Sequence, residues 1–220
     1  MSGAGGKKGP EGAAERLERL LRRERELWAD GLSRVAGVDE AGIGPLAGPV
    51  VAAAVVFPPG LGLEGVNDSK RLTPARRRSL AEGIRLGAAS YCVARVDPLE
   101  IDRVNIYQAG LLAMRRAVEG LAPPPERLLV DGRRIPDLEL PQERWIKGDA
   151  KCHAIAAASI LAKTERDAMM EEFDARYPGY GFASHKGYAT RSHRDAIRRL
   201  GPSPIHRRSF TLLPPPGLFD

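Results

Sequence analysis

The chain predicts an α/β fold: a mixed central sheet of about five strands flanked by helices. Three observations predict it. Short apolar runs and helical stripes follow the order strand, strand, helix, strand, helix, strand, helix. The first two runs follow each other without a helix between them, which calls for an antiparallel pair inside an otherwise α/β order. The second run, VVAAAVVF at 50–57, is apolar at consecutive positions, as expected of a strand buried on both faces.

Residues 1–12 are rich in Gly, Lys and Ser and read as a flexible tail. Residues 13–31 read as one amphipathic helix, with Leu17, Leu20, Leu21, Leu27 and Trp28 on one face, Arg and Glu elsewhere, and Gly31 at its end. RVAGVDE at 34–40 is the first strand, and Pro58, Pro59 and Gly60 stop the second. A helix then starts at Thr73 as N-cap with Pro74 in its first turn. ASYCVARV at 89–96 is the third strand. Ile101, Val104, Leu111, Leu112 and Val118 mark a helical stripe from Pro98 to Leu121, broken by Pro123–Pro125. RLLVDG at 127–132 is the fourth strand, and Trp145 with Ile146 marks a short fifth. A long helix is expected from His153 to about Tyr177, and a short basic one from Thr190 to Leu200. The domain proper therefore spans 32–213, and 214–220 forms a Pro-rich tail.

Composition excludes several classes. The chain has 220 residues, 43% hydrophobic, enough for a proper core. Its two cysteines, Cys92 and Cys152, sit in apolar stretches without CxxC spacing, so they read as buried free thiols. No apolar run approaches the roughly 18 residues a membrane span needs. MSGAGGKKGPEG lacks a signal-peptide core. A cytoplasmic, reducing setting and a monomer are the expectation. The net charge of +6 permits a polyanionic partner without demanding one.

The chemistry concentrates in carboxylates. Asp39 and Glu40 close the first strand, directly before a Gly-rich turn, Gly42-Ile43-Gly44. Asp131 closes the fourth, and Asp149 lies just before the long helix. Strand ends of an α/β sheet are where ligands bind. Carboxylates gathered there repel one another unless a cation lies between them, and hard divalent ions prefer oxygen ligands. Each Asp before Gly is also a common turn residue, so spacing alone supports a possible metal site and no more. The turn lacks the pattern of a dinucleotide or P-loop site. The scattered histidines, His153, His185, His193 and His206, read as surface or substrate contacts, not a zinc set. YPGYGFASHKGYAT at 177–190 interleaves aromatics, Gly and cations, as nucleic-acid backbones favour, though Tyr residues capping a core would look the same. DSKRLTPARRR at 68–78 and HRRSF at 206–210 are further basic clusters.

Taken in order, AGVDEAGIGPLAGPVVAAAVV, NDSKRLT, LLVDG, KGDAKCHAIAAASILAKTERD, YPGYGFASHKGYAT and GPSPIHRRSF resemble the successive blocks of bacterial ribonuclease HII, over roughly residues 34–210. The resemblance implies a ribonuclease H-like fold and an endonuclease that uses Mg²⁺ or Mn²⁺. The implied partners are RNA–DNA hybrids and duplex DNA carrying single ribonucleotides, cut on the 5′ side of the ribonucleotide to leave a 3′-hydroxyl and a 5′-phosphate. It places the catalytic and metal-holding quartet on Asp39, Glu40, Asp131 and Asp149. It places the ribose-sensing tyrosine on Tyr188, and further substrate contacts on Gly42, Ile43, Gly44, Ser69, Lys70 and Lys186.

One position departs from the family's pattern. Its turn is typically Gly-Arg-Gly, and Ile43 cannot offer the positive fork of an arginine. If backbone groups of the turn make the contacts, Ile43 is tolerated. If not, substrate binding is weaker or the preference for single ribonucleotides is altered, and the alternative is a duplex-binding protein with weak or altered activity. A separate alternative is a related metal nuclease of the same superfamily acting on another DNA structure.

Overall fold

The computed structural model describes residues 12–213; the Pro-rich tail assigned to 214–220 and all but the last residue of the tail assigned to 1–12 lie outside it. Five strands form one sheet: β1 (Val35–Ala41), β2 (Val50–Val56), β3 (Ser90–Val96), β4 (Arg127–Asp131) and β5 (Gln142–Trp145), in the order β3-β2-β1-β4-β5. β1 pairs antiparallel with β2, and β2 with β3, whereas β4 runs parallel to both β1 and β5. The expected mixed sheet is therefore present, with Trp145 in β5 and Ile146 exposed just beyond it.

Both faces are covered, which explains the continuous apolar run of β2. Val50, Ala52, Ala54 and Val56 pack on one side with α5 (Ile106–Glu119). Val51, Ala53 and Val55 pack on the other with α3 (Pro74–Gly87) and α6 (His153–Arg176). Thr73 caps α3, accepting from the Arg76 amide at 3.3 Å. The small residues of AIAAASILA let α6 approach closely. At Gly37 of β1 a Cβ would lie 2.0 Å from the Ala154 carbonyl carbon, so only glycine permits this crossing.

Two expected helices are interrupted. The stripe over 98–121 divides into α4 (Pro98–Val104) and α5 at Asn105, whose φ of +67° turns the chain while its side chain caps α5 by accepting from Gln108 N. The helix expected over 13–31 is α1 (Ala13–Leu20) and α2 (Arg22–Ala29), parted at Leu21. These helices dock on the domain, because Leu27 packs with Val35, Cys152 and Ile155. Glu24, expected on the polar face, is buried instead. Its Oε1 accepts from the Ala154 amide at 2.7 Å and from the Cys152 thiol at 3.5 Å, capping α6 from another element. The short helices α7 (Phe182–His185) and α8 (Arg191–Leu200) complete the domain; α7 lies inside the aromatic segment, where no helix was expected. Cys152 is buried and Cys92 half-buried, both as free thiols.

His153 opens α6 fully buried, its ring 4.8 Å from that of Phe57 and its Nε2 accepting from the Leu63 amide. Burial pushes its imidazole down to about 4. A histidine depressed from about 6.5 takes up a proton more readily in the unfolded chain, so its stabilising contribution is complete above pH 6.5 and is lost as pH falls toward 4. The wild type is therefore expected to lose more stability than His153→Phe between pH 7 and pH 5, measured by urea unfolding. The difference between the two proteins isolates His153 from the other titrating groups. Equal losses would show that His153 does not titrate across the unfolding transition.

Candidate active site

The parallel pairing of β1 and β4 creates the site. Val38 lies opposite Val130, so the next residues, Asp39 and Asp131, reach the same edge of the sheet. Strand alternation directs Asp39 toward α6, where the Ser159 hydroxyl favours its charged form. The Ser159 hydroxyl lies 3.0 Å from that of Ser69, and both serines are buried. Asp131 Oδ1 accepts from the Gly148 amide at 2.6 Å. That bond ties the end of β4 to the 3-10 turn Gly148–Ala150, which carries Asp149.

The resulting cleft, of about 290 Å³, is lined by Asp39, Glu40, Gly42, Ile43, Gly44, Ser69, Lys70, Asp131, Ser159, Lys163 and Tyr188. Burial first, then Glu40 and Asp131, holds the Asp39 carboxyl well above the ordinary carboxylate range. Burial and Asp131 raise Glu40 to about 7, against the pull of Arg133 and Lys70. Asp149 is raised by burial, Asp68 and Asp131, and lowered by Lys70. A depression of the same volume, beside Val104, Leu111, Leu112 and Ile135, has no such group of carboxylates.

These carboxylates lack enough positive charge. Among the described residues no three His, Cys, Asp or Glu side chains are already drawn together as a metal cage. The donor set nevertheless fits a hard divalent cation: all its ligands are oxygens, and burial with mutual repulsion favours whatever neutralises them.

The expected substrate residues divide. Gly44 and Tyr188 face each other across the cleft: a Cβ on Gly44 would stand 3.9 Å from Tyr188 Cε1, and the tyrosine ring is 46% exposed. Lys70 is exposed at the rim. Ser69 lines the cleft with its side chain buried against Ser159. Lys186 stands apart from it. Its ammonium lies 2.6 Å from Glu171, in a neighbouring depression with Arg77 and Arg78, and does not line the acidic cleft. The expected aromatic contacts reduce to Tyr188, since Phe182 is fully buried and Tyr180 stacks on it at 5.1 Å. Three of the four histidines are buried, not surface groups. Ser159 and Lys163 were missed, although their i, i+4 spacing in α6 places them on one helix face. No local pattern marks Arg133.

The Gly-rich turn is held from below by two buried arginines, both fully enclosed. Arg207 donates to the carbonyls of Gly42 (2.6 Å), Ile43 (3.0 Å), Gly48 (2.9 Å) and Pro49 (3.2 Å). Arg166 donates to those of Ala47, Pro49 and Lys186. Arg207 is therefore not a phosphate contact, despite its place in a basic cluster. Gly42 has a φ of +99°, and a Cβ there would meet Arg166 Nε at 2.3 Å. The Ile43 side chain packs toward α5, where a Cβ on Gly110 would lie 3.0 Å from its Cδ1.

With this geometry in view, the comparisons with known proteins are decisive. The family profile of ribonuclease HII matches residues 36–213. The chain belongs to the ribonuclease HII family. Ribonuclease HII of Myxococcus xanthus is 58% identical over 197 residues, covering 89% of this chain and 67% of that one. That of Moorella thermoacetica is 53% identical over 199 residues, covering 90% of this chain and 97% of that one. The crystal structure of ribonuclease H2 from Pyrococcus horikoshii superposes with a TM-score of 0.69 at 29% identity, over 81% of this chain and 94% of that one. The fold is thus ribonuclease H-like, and the protein is a divalent-metal-dependent endonuclease of ribonuclease H type 2 that hydrolyses RNA in RNA–DNA hybrids.

Lysine at 207 would keep the charge but could not reach four carbonyls from one fork. Arg207→Lys is expected to lower the unfolding free energy by roughly 2–4 kcal/mol, through buried carbonyls left without donors. Urea unfolding measures this, and unchanged stability would show that the turn holds itself.

Proposed function

We propose that the cleft between Asp39, Glu40, Asp131 and Asp149 is where the RNA strand is cut, with Mg²⁺ or Mn²⁺ held by these four side chains. One observation carries the reading: carboxylates from two parallel strand ends and the following turn come together, those of Asp39, Glu40 and Asp149 raised by burial and by neighbouring carboxylates, with only lysine and arginine at the rim. Such ions, when bound, supply the positive charge that activates the attacking water and stabilises the leaving oxygen. The protein's own groups do the rest. Ser69 and Ser159 orient Asp39. The Gly148 amide leaves Asp131 one oxygen facing the cleft and fixes the other. Lys70, Lys163 and Arg133 attract the phosphodiester. Water's oxygen joins phosphorus, the bond to the 3′-oxygen breaks, and that oxygen takes a proton, giving a 3′-hydroxyl and a 5′-phosphate.

Tyr188 is the ribose-sensing group in this reading. It presents an exposed ring beside Gly44, where the missing side chain leaves room for a sugar, and the 2′-hydroxyl is what separates RNA from DNA. Single ribonucleotides in duplex DNA, cut on their 5′ side, are substrates along with long hybrids. Ile43 is compatible with activity, because it packs on α5 while the turn's carbonyls are held by Arg207. Among the described residues no helix is long and apolar enough to cross a membrane. A cytoplasmic monomer is the setting we propose, in keeping with two free thiols.

All-DNA, hybrid and single-ribonucleotide duplexes, each with Mg²⁺ and with Mn²⁺, test this reading. Cleavage is expected of the latter two and not of the first. Asp39→Asn and Asp131→Asn are each expected to lose about a hundredfold or more in kcat/KM, since each removes a carboxylate from the charge-stabilising set; undiminished cleavage would reject the quartet. Ile43→Arg is expected to tighten duplex binding through one added cation. Unchanged affinity and site preference would show that this position does not matter.

A further inference from the structure

Behind Tyr188 lies a line of buried imidazoles that the chemistry above does not use. His193 Nδ1 is 2.8 Å from the Tyr188 carbonyl, and its Nε2 is 3.0 Å from His206 Nε2. His206 Nδ1 is 2.8 Å from both the amide and the hydroxyl of Ser203. Both rings are buried.

Only one placement of protons satisfies these contacts. The Tyr188 carbonyl can only accept, so His193 Nδ1 carries a hydrogen. The Ser203 amide can only donate, so His206 Nδ1 is bare and its hydrogen sits on Nε2. That hydrogen points at the bare Nε2 of His193. The line therefore runs in one direction, from Ser203 through His206 and His193 to Tyr188. A second proton on either ring would set donor against donor. Burial pushes both imidazoles down to about 4, which keeps them neutral. The titratable or charged groups facing the pair are His185, stacked on His193 at 4.2 Å, Tyr180, whose ring is 5.3 Å from His206, and Arg208. None is an anion that would stabilise an imidazolium.

The far end of the line is anchored to the turn of the cleft. His206 bridges Ala47, Leu46 N donates to the Gly187 carbonyl, and Arg207 N donates to the Leu46 carbonyl. The Tyr188 carbonyl also accepts from Thr190 N at 2.8 Å, so both its lone pairs are used.

We infer that His193 is a positioning residue for Tyr188: the directed Ser203–His206–His193 line fixes the Tyr188 backbone against the Gly42–Gly48 turn and so sets where its ring meets the sugar. This rests on the reading of Tyr188 as the ribose-sensing group. An imidazole here does what an aliphatic residue of equal size cannot, because it accepts at one edge and donates at the other.

A double-mutant cycle on single-ribonucleotide duplexes tests the proposal, with thermal unfolding of each variant in parallel. His193→Leu is expected to lower kcat/KM about tenfold or more, as a small misplacement of a positioned group does. In a Tyr188→Ala background the same change is expected to cost less than about twofold, because the residue it positions is gone. His193→Asn, which keeps a donor near the Nδ1 position, is expected to recover most of the loss, whereas His193→Gln, whose amide lies nearer the Nε2 position, is not. The Asn and Gln variants carry the test if His193→Leu fails to fold. Equal losses from His193→Leu with and without Tyr188, or equal activity of the Asn and Gln variants, would overturn the positioning role while leaving Tyr188 in place. An unimpaired Tyr188→Ala would overturn both this role and the ribose-sensing reading.

Discussion

Two buried guanidinium groups hold the Gly-rich turn and the C-terminal segments together. Among the described residues, Arg166 from α6 and Arg207 from the C-terminal segment hydrogen-bond no carboxylate; they bond backbone carbonyls of the Gly-rich turn and of the segment carrying Lys186. A buried charge is costly unless it is fully hydrogen-bonded, and the fixed fork of arginine suits several carbonyls at once. Three stretches far apart in sequence, at 42–49, 166 and 186–207, are thereby tied into one unit. Gly42 follows from this constraint, because any side chain there would occupy the space of Arg166.

The acidic cleft obeys the opposite rule. Its carboxylates are brought together by strand polarity and left short of positive charge, while the arginines a few residues away are spent on carbonyls. The result is a site that favours cations beside a turn whose position does not depend on them. Such separation of scaffold charge from site charge suits a nuclease, whose substrate brings its own negative charge. It also accounts for the modest net charge of +6. Some of the basic residues that looked available for phosphate, Arg77 and Arg207 among them, are structural, with Arg77 bonding the Ser69 carbonyl beside Asp167.

Much of this was legible without coordinates. The mixed sheet followed from the strand order, and the two-faced burial of β2 from its unbroken apolar run. The positions of Asp39, Glu40 and Asp131 at strand ends, and of Asp149 before the long helix, followed from the same order of elements. The errors have a common cause. Polarity predicts Glu24, Arg207 and His206 on the surface, because charged and polar groups are usually exposed. Their burial depends on partners contributed by other elements, and nothing local records those partners. Asn105 misled for the reverse reason: a local backbone state overrode a continuous helical stripe.

The sequence by itself determined the five strands, the family and where the carboxylates sit along the chain, because periodicity, turn residues and motif blocks are properties of contiguous residues. Only the tertiary structure decided which cations face the cleft and which face carbonyls, which serine orients Asp39, and that the histidines form a line behind Tyr188. Those assignments turn on distances of about 3 Å between residues from 3 to 165 positions apart, at which a hydrogen bond exists or does not. No pattern along a chain encodes such a distance until the sheet and α6 have set the frame.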